Sequence, residues 1–388
     1  MGYTRDYILL KNALKSTAEK TPVPESNLIM KKHAFESENT KILPDDLAGN
    51  SDFQLSAFSD REIPENRKFE YPLIRSNSKQ KESDLIIMLH GLNEKSWDKY
   101  WTWAKELSEK TNKAVLLFPL SFHMDRVPGL WADPRKMTTL MEFRKKKFPE
   151  SSAMSFVNAA LSERLSNMPE RFVLSGYQSI LDLVELVKSI KAGSHIDFKK
   201  DTHIDLFGYS IGAFLSQVLL ITNPENLFSD SKFMLFGGGS VFSEINGTSR
   251  LIMDQQAFEN LHYFYLHEKL WTSNSSNSFQ ELMSTDVYGN SFRAMLSPKT
   301  MRKLRERSFE DFHDRIKVIS LKKDQVFPFK KIVSAFKKNM SSTVELFDTP
   351  FHYTHENPFP VSTKACVANV TDELFEKVFF RASKFLAS

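Results

Sequence analysis

The chain has 388 residues, of which 41% are hydrophobic and 26% are charged, and its formal net charge is +4. This length predicts two domains or one large domain with insertions, and either arrangement buries a sizeable core. A charge this close to neutral, with only short basic clusters, excludes an electrostatic case for a nucleic-acid binder.

The cysteine content and the first residues indicate in which cellular compartment the protein is expected. The single cysteine, Cys366, excludes an internal disulfide framework and a cysteine-based zinc site, and it fits a reducing environment. The opening residues lack the basic start, apolar stretch and small-residue cleavage site of a secretory signal. No apolar run approaches the ~18 residues that a membrane span needs. We therefore expect a cytoplasmic protein without a membrane span, and the sequence leaves its oligomeric state open.

The N-terminal part differs from the rest of the chain. Residues 1–66 are polar, with scattered proline and aspartate, and only Tyr7 to Leu14 has a convincing helical pattern. We interpret this stretch as an N-terminal extension. Residues 68–75, KFEYPLIR, predict an edge strand, because Pro72 lacks the N–H group that a central strand needs.

From residue 84 onward, short apolar runs alternate with helical patterns. Runs that are apolar throughout are typical of parallel strands covered on both faces. Strands that alternate with helices predict an α/β fold, with a mostly parallel central sheet flanked by helices. The predicted strands lie at 85–89, 114–118, 203–207, 232–236, 316–321 and 344–347, and the clearest helices at 96–111, 173–192 and 363–386.

Two long stretches interrupt this alternation. Residues 120–170 and 240–312 are rich in Phe, Trp, Met and Ser. Insertions at the strand ends of an α/β sheet tend to form lids or pocket walls. We therefore predict a core of 67–239 and 313–388, with an enlarged excursion at 120–170 and a cap at 240–312. The cap aromatics that would cover an apolar pocket are Phe258, Tyr263, Phe264, Tyr265 and Trp271.

The strongest local motif is GYSIG at 208–212. The apolar strand IDLF precedes it and a helical segment follows, which is the context of a nucleophile elbow, a tight strand-to-helix turn. The flanking glycines would remove side chains that collide with the neighbouring strand and helix. The hydroxyl of Ser210 would stand at a helix N-terminus, which favours developing negative charge. The alternative is an ordinary glycine-flanked turn with a capping serine.

A serine hydroxyl needs a base and an orienting acid to become a nucleophile. Asp324 follows the strand RIKVISL and is the candidate acid, with a turn or helix cap as its alternative role. Two histidines follow the last strand. We favour His355 as the base because a loop of suitable length precedes it, and His352, nearer the strand end, is its rival. The sequence HENPF is not the zinc motif H-E-x-x-H, since its fifth position is Phe359.

The developing oxyanion needs two donors fixed in advance. One would be the backbone N–H of Ile211, directly after the candidate nucleophile. The other would come from the loop after the strand LIIML, where Gly91 allows the backbone to approach closely and the N–H of Leu92 or of its neighbour Gly91 can point at a substrate carbonyl.

These motifs together resemble the α/β-hydrolase superfamily. The resemblance rests on the order Ser210, Asp324, His355 along the chain and on the motifs LHG before them and GYSIG around the serine. The segment DQVFP, which contains Asp324, looks like the family's acid loop. The resemblance covers 84–239 and 313–388 but not 1–66. The segment SFHMDRVPGLWADPRKM at 121–137 is unlike common esterases, so we expect a bacterial branch distinct from them.

The resemblance implies a serine hydrolase that cleaves an ester or a related acyl bond of a small molecule, with no cofactor and no metal. Two alternatives share the same sequence features. An alcohol or thiol acceptor in place of water would make the protein an acyltransferase, and a hydrolase fold that only binds a ligand or a partner would have no activity. A membrane-surface lipase is less favoured, since no strongly amphipathic basic helix is present.

Overall fold

A computed structural model of the chain describes residues 2–15, 18–45, 53, 55–56, 58–78, 80–268, 272–273 and 275–388. These residues form a nine-stranded sheet with the strand order β1-β2-β3-β5-β4-β6-β7-β8-β9. The strands are β1 (Lys20–Pro22), β2 (Leu28–Glu36), β3 (Lys68–Ser76), β4 (Glu82–Leu89), β5 (Ala114–Phe118), β6 (Phe198–Tyr209), β7 (Phe233–Phe236), β8 (Ile316–Leu321) and β9 (Val344–Phe347).

The helices are α1 (Tyr3–Ala13), α2 (Pro64–Arg67), α3 (Asp98–Thr111), α4 (Pro134–Lys147), α5 (Ala159–Asn167), α6 (Arg171–Lys191), α7 (Ile211–Thr222), α8 (Gln255–Leu266), α9 (Asn277–Thr285), α10 (Val287–Ala294), α11 (Arg302–Asp311), α12 (Phe329–Ala335) and α13 (Ala365–Ala387). None of the helices in the described part of the chain combines the length and the apolar character needed to cross a membrane.

The sheet confirms the predicted fold class. Strands β4 to β9 are all parallel to one another. Strand β3 is antiparallel to both of its neighbours, β2 and β5. This is the α/β-hydrolase arrangement. The continuous apolar runs of β4, β5 and β7 are buried because helices cover both faces of the sheet.

Two apolar cores lie on the opposite faces of the sheet. On one face, α3, α13 and α1 pack together around the fully buried Trp103. On the other face, α6 and α7 pack on β6, and α10 and α11 pack in turn against α7. Helices on both faces make a three-layered arrangement, and the carboxyl ends of the parallel strands meet at one edge of its central sheet.

The prediction that 68–75 is an edge strand is wrong. Strand β3 lies between β2 and β5, because part of the N-terminal stretch adds β1 and β2 beyond it. Pro72 faces Lys32 of β2, whereas pairing with β5 is confined to Leu73 and Ile74. The proline is tolerated because it precedes the short stretch that is paired on both sides.

The N-terminal residues are also tied to the core by buried ion pairs. The Asp60 carboxylate accepts hydrogen bonds from Arg164 at 2.7 Å and from Arg171 at 2.7 Å. These contacts join the N-terminal stretch to α5 and α6.

A second buried ion-pair network joins the two insertions. The guanidinium of Arg144 on α4 donates to Glu163 of α5 at 2.5 Å and to Asp254 at 2.7 Å. Asp254 also caps α8 by accepting a hydrogen bond from the N–H of Ala257. The excursion at 120–170 and the start of the insertion at 240–312 are thereby held against each other.

Candidate active site

Ser210 alone makes the turn between β6 and α7. Its φ of 58° and ψ of −119° lie in a region that residues with side chains rarely adopt. The strained backbone puts the residue at the carboxyl edge of the sheet and at the N-terminus of α7. The sequence prediction of a tight strand-to-helix turn at GYSIG agrees with this conformation.

Glycine is required at positions 208 and 212, on either side of Ser210, for steric reasons. A Cβ atom on Gly208 would lie 2.6 Å from the carbonyl oxygen of Gly212 and 2.7 Å from Cα of Ala213. A Cβ atom on Gly212 would lie 2.8 Å from the carbonyl oxygen of His90 and even closer to that of Leu89. Only glycine lets α7 approach β6 and the end of β4 this closely.

Ser210, His355 and Asp324 form a continuous hydrogen-bonded series. The Ser210 Oγ atom is 2.7 Å from His355 Nε2, and His355 Nδ1 is 2.8 Å from Asp324 Oδ2. The three residues are 3%, 5% and 4% exposed, respectively. Each follows a different parallel strand, β6, β8 or β9, and the carboxyl ends of these strands share one edge of the sheet.

The imidazole of His355 is fixed from several directions. Asp324 Oδ1 accepts hydrogen bonds from the N–H groups of Val326 and Phe327, both at 2.9 Å, which leaves Oδ2 to accept from His355 Nδ1. The ring lies between those of Tyr209 and Phe327, with centroids 5.5 and 5.4 Å away. With its proton on Nδ1, the imidazole presents an unprotonated Nε2 to the serine hydroxyl.

The structure brings His355, and not His352, to Ser210. His352 is exposed, and no hydrogen bond joins it to Ser210 or Asp324 within the described residues. Between the two histidines, Tyr353 is buried and its hydroxyl accepts the N–H of Lys323 at 2.7 Å. This anchor holds the loop so that the later histidine faces inward.

Two backbone donors near Ser210 are free. Within the described residues, the N–H groups of Ile211 and Leu92 donate no hydrogen bond. The predicted contribution of Gly91 needs correction, because its N–H donates to the Tyr100 hydroxyl at 3.0 Å. Gly91 allows close packing instead, since a Cβ atom there would lie 3.3 Å from the ring of Tyr209.

His90, the histidine of the LHG motif, fixes the loop that follows β4. Its Nδ1 donates to the carbonyl oxygen of Gly91 at 2.8 Å, and its Nε2 accepts the N–H of Leu120 at 2.9 Å. Complete burial holds the pKa of His90 well below its usual range, so the ring is neutral. The ring fixes the loop that carries Leu92.

Two cavities meet at this edge of the sheet, and both have Leu92, Phe172 and Ile211 in their walls. The first is called here the His123 cavity. The second is called the Ser210 cavity. The His123 cavity is otherwise lined by Leu120, Ser121, His123, Ser175, Gly176, Ser179, Phe214, Leu215 and Phe292, and the Ser210 cavity by Ser210, Phe242, Ile245, Gly247, Ile252, Met253, Phe258, Leu261, Val326 and Phe327.

The aromatic residues that were predicted to cover the pocket lie in different environments. Phe258 lines the Ser210 cavity, whereas Tyr265 is buried and donates a hydrogen bond to the carbonyl oxygen of Pro169 at 2.9 Å. Tyr263 is 57% exposed, and Phe264 packs against the core. Trp271 lies outside the described residues. The segment from Phe242 to Leu261 therefore contributes to the wall of the Ser210 cavity, while α10 and α11 pack against α7.

Among the described residues, no group of three or more His, Cys, Asp or Glu side chains is placed to hold a metal ion. The side chains gathered at Ser210 are instead those of nucleophilic and acid–base chemistry: a hydroxyl, an imidazole and a carboxylate in hydrogen-bonding succession.

Comparison with known proteins gives a family and several similar folds. Residues 1–387 match the family described as "Family of unknown function (DUF6051)". No curated protein matches the chain. Similar solved structures include a bacterial heroin esterase, at 10% identity and a TM-score of 0.44, covering 99% of this chain and 91% of that one. Carboxyl esterase 2 from the mycorrhizal fungus Tuber melanosporum is also 10% identical, with a TM-score of 0.44 and coverages of 96% and 90%. At such low identities and scores, this likeness says nothing about the activity of the chain.

Proposed function

The chain belongs to the family of unknown function DUF6051, and we propose that it is a serine hydrolase that cleaves an ester or a related acyl bond of a small molecule. One observation carries the proposal. A serine in a strained strand-to-helix turn is hydrogen-bonded to a buried histidine, and that histidine is hydrogen-bonded to a buried aspartate. This geometry activates a hydroxyl for attack on a carbonyl carbon.

In the first half of the proposed reaction, Ser210 Oγ attacks the carbonyl carbon of the substrate and its proton moves to His355 Nε2. Asp324 accepts the hydrogen bond from Nδ1 and stabilises the imidazolium that forms. The carbonyl oxygen becomes an oxyanion that accepts hydrogen bonds from the free N–H groups of Ile211 and Leu92. The N-terminus of α7 adds favourable partial charge at the same place.

In the second half, His355 returns the proton to the oxygen of the leaving group as the bond between that oxygen and the acyl carbon breaks. An acyl group remains on Ser210. A water molecule then gives one proton to His355 and attacks the acyl carbon. The tetrahedral intermediate collapses, releasing the carboxylic acid and restoring the serine hydroxyl.

A fluorophosphonate probe tests the proposal, because it forms a covalent bond with an activated serine. We expect the wild-type protein to be labelled and the Ser210→Ala variant to remain unlabelled. Ser334→Ala is the control, since Ser334 lies on α12 and its hydroxyl is bound to the carbonyl oxygen of Lys331 at 2.8 Å. This variant should be labelled like the wild type.

The same preparation separates the alternatives. A folded wild-type protein that takes up no probe and hydrolyses none of a panel of aryl esters would be a non-catalytic binder, and the proposal would be wrong. If acyl transfer to an added alcohol or thiol exceeds hydrolysis in product analysis, the same three residues serve an acyltransferase.

A further inference from the structure

His123 lies in the wall of the His123 cavity with one ring nitrogen unused. The residue is 7% exposed, and its Nδ1 is 2.9 Å from the carbonyl oxygen of Ser121. Because a carbonyl oxygen only accepts hydrogen bonds, Nδ1 carries a proton. The Nε2 atom is buried and has no hydrogen-bond partner within the described residues. A buried polar atom of this kind costs free energy until a partner reaches it.

The neutral ring offers an acceptor. Burial lowers the pKa of His123 to about 4, and the positive charges of Arg126 and Arg164 act in the same direction. At neutral pH the imidazole therefore carries one proton, which is on Nδ1. Nε2 presents a lone pair, and its natural partner is an O–H or N–H group without a positive charge, since the nearby guanidinium groups repel a cation.

The loop around His123 is held in a strained conformation. Its neighbours Phe122 and Met124 have φ values of 61° and 51°, which are unfavourable for residues of this size. The fully buried Arg126 fixes the loop by donating to the carbonyl oxygen of Asn66 at 3.0 Å and to Asp182 at 2.8 Å. Backbone strain of this kind persists only where the surroundings enforce it, and it is concentrated at functional sites.

The other polar groups of this cavity are already bonded. The Ser121 hydroxyl donates to Asn66 at 3.0 Å, that of Ser175 to Arg171 at 2.6 Å, and that of Ser179 to Ser175 at 2.8 Å. Among the described side chains that line the cavity, His123 therefore holds the acceptor that lacks a partner. The remaining lining is largely apolar, so a ligand here would be a carbon chain with one donor group.

The two cavities have different relations to His355. The Ser210 cavity is lined by Phe327, whose ring stacks on the imidazole of His355. A leaving group must receive its proton from His355, so it belongs in that cavity. The His123 cavity shares Leu92 and Ile211, the residues with the free N–H groups, with the Ser210 cavity, but Phe327 is not in its wall. It is therefore the place for the acyl part of a substrate.

We propose that His123 is a specificity-determining residue, whose Nε2 accepts a hydrogen bond from a hydroxyl or an amide N–H on the acyl chain of the substrate. This inference rests on the proposed hydrolase function and narrows its substrate class to esters of hydroxylated or amide-bearing acids. It also gives a role to the segment at 121–137, whose sequence is unlike that of common esterases.

The test compares matched 4-nitrophenyl esters on the wild-type protein. One series carries a hydroxyl on the third or the sixth carbon of a hexanoyl chain, and another carries an acetamido group there. Each ester is paired with its O-methyl or N-methyl counterpart and with unsubstituted hexanoate. Each kcat/KM is divided by the spontaneous hydrolysis rate of the same ester. We expect a donor at one of these positions to raise this ratio about 10- to 100-fold, and methylation to abolish the gain.

A variant assigns the preference to His123. His123→Phe keeps a flat ring but removes the acceptor, so the donor-bearing and methylated esters should become equal substrates. Ser175→Ala is the matched control, because it alters the same cavity but removes a hydroxyl that is already bonded within α6. This control should keep the wild-type preference. Circular dichroism checks that both variants are folded.

The outcomes separate this inference from the proposed function. If the wild type hydrolyses simple esters but shows no preference for a donor in either series, the role of His123 is overturned and the hydrolase remains. This result does not depend on whether the variant folds. A preference that survives in a folded His123→Phe variant also overturns the role. If no ester is cleaved and Ser210 takes up no fluorophosphonate, the hydrolase fails and the inference fails with it.

Discussion

The phenol of Tyr209 donates a hydrogen bond to the backbone carbonyl oxygen of His355, and the two rings stack with centroids 5.5 Å apart. Tyr209 directly precedes Ser210, so the end of β6 carries both the proposed nucleophile and a support for the proposed base. The contact joins two positions that are 146 residues apart in the chain.

Tyr209→Phe should lower kcat about tenfold and leave KM nearly unchanged. The variant keeps the stacked ring but leaves the buried carbonyl oxygen of His355 without its donor, which costs about 1–3 kcal/mol and lets the loop shift. Tyr209 is a positioning residue in this account, so the rate of fluorophosphonate labelling should fall with kcat. Tyr263→Phe, at an exposed position, is the control. An unchanged kcat would show that the loop needs no such support.

Replacing each of the two histidines after β9 distinguishes between them. His355→Ala removes the group that is 2.7 Å from Ser210 Oγ, and we expect it to lower kcat at least about a thousandfold. His352→Ala changes an exposed side chain and should retain wild-type activity. Stopped-flow measurement of acyl-enzyme formation with an aryl ester reads the step directly. Loss of this step only in His352→Ala would exclude His355 as the base.

Asp324→Asn should lower kcat about 10⁴-fold by changing the tautomer of His355. In the wild type, Oδ1 accepts two backbone N–H groups and Oδ2 accepts the proton on Nδ1. An amide that keeps the two backbone hydrogen bonds must direct its NH₂ group at Nδ1, which then has to be unprotonated. The ring proton moves to Nε2, so the serine loses its acceptor. NMR of the imidazole nitrogens would report the tautomer, and a variant still protonated at Nδ1 would refute this explanation.

The predictions from sequence held best where the cause is local. The GYSIG motif requires glycine at 208 and 212 because the turn at Ser210 brings α7 onto the backbone of its neighbours. The places of Asp324 and His355, each after a buried parallel strand, follow from strand patterns of the same kind. Three side chains after three parallel strands share one edge of the sheet whatever the loops contain.

Predictions from the sequence were wrong where the cause is distant in the chain. Strand β3 became an inner strand because β2 pairs along its whole length, a pairing that no pattern within 68–75 reveals. The N–H of Gly91 is engaged by Tyr100, and the role of His90 depends on Leu120. These contacts form only when separate elements pack together, so the spacing of residues could not predict them.

Gly208→Ala should destabilise the protein by about 1–3 kcal/mol, because the added methyl group meets backbone atoms that cannot move aside. Gly129→Ala is the matched control, since a Cβ atom there would meet nothing within 4 Å. We expect the control to change the free energy of unfolding by less than about 1 kcal/mol. Urea unfolding of both variants provides the comparison. Equal stabilities would mean that α7 does not pack on β6 as closely as described.

The free energy of unfolding should fall as the pH is lowered from 6.5 to 5.5, because three buried histidines resist protonation. Burial holds the pKa of His90 well below its usual range and lowers the pKa values of His123 and His195 to about 4. In His90 and His195, one ring nitrogen accepts a backbone N–H group, so a proton there would break a hydrogen bond.

The unfolded chain has no such restriction, and its histidines bind protons near pH 6.5. The unfolded state therefore takes up more protons than the folded state below that pH, and stability is lost as the pH falls. Each histidine should contribute about 1 kcal/mol of loss between pH 6.5 and pH 5.5, which amounts to about 3 kcal/mol for the three. Carboxylates with lowered pKa values, such as Asp197, change the free energy of unfolding only at pH values below this range. Urea unfolding at pH 7.5, 6.5 and 5.5 measures the slope, and equal free energies of unfolding at all three values would contradict the neutral, buried state of these rings.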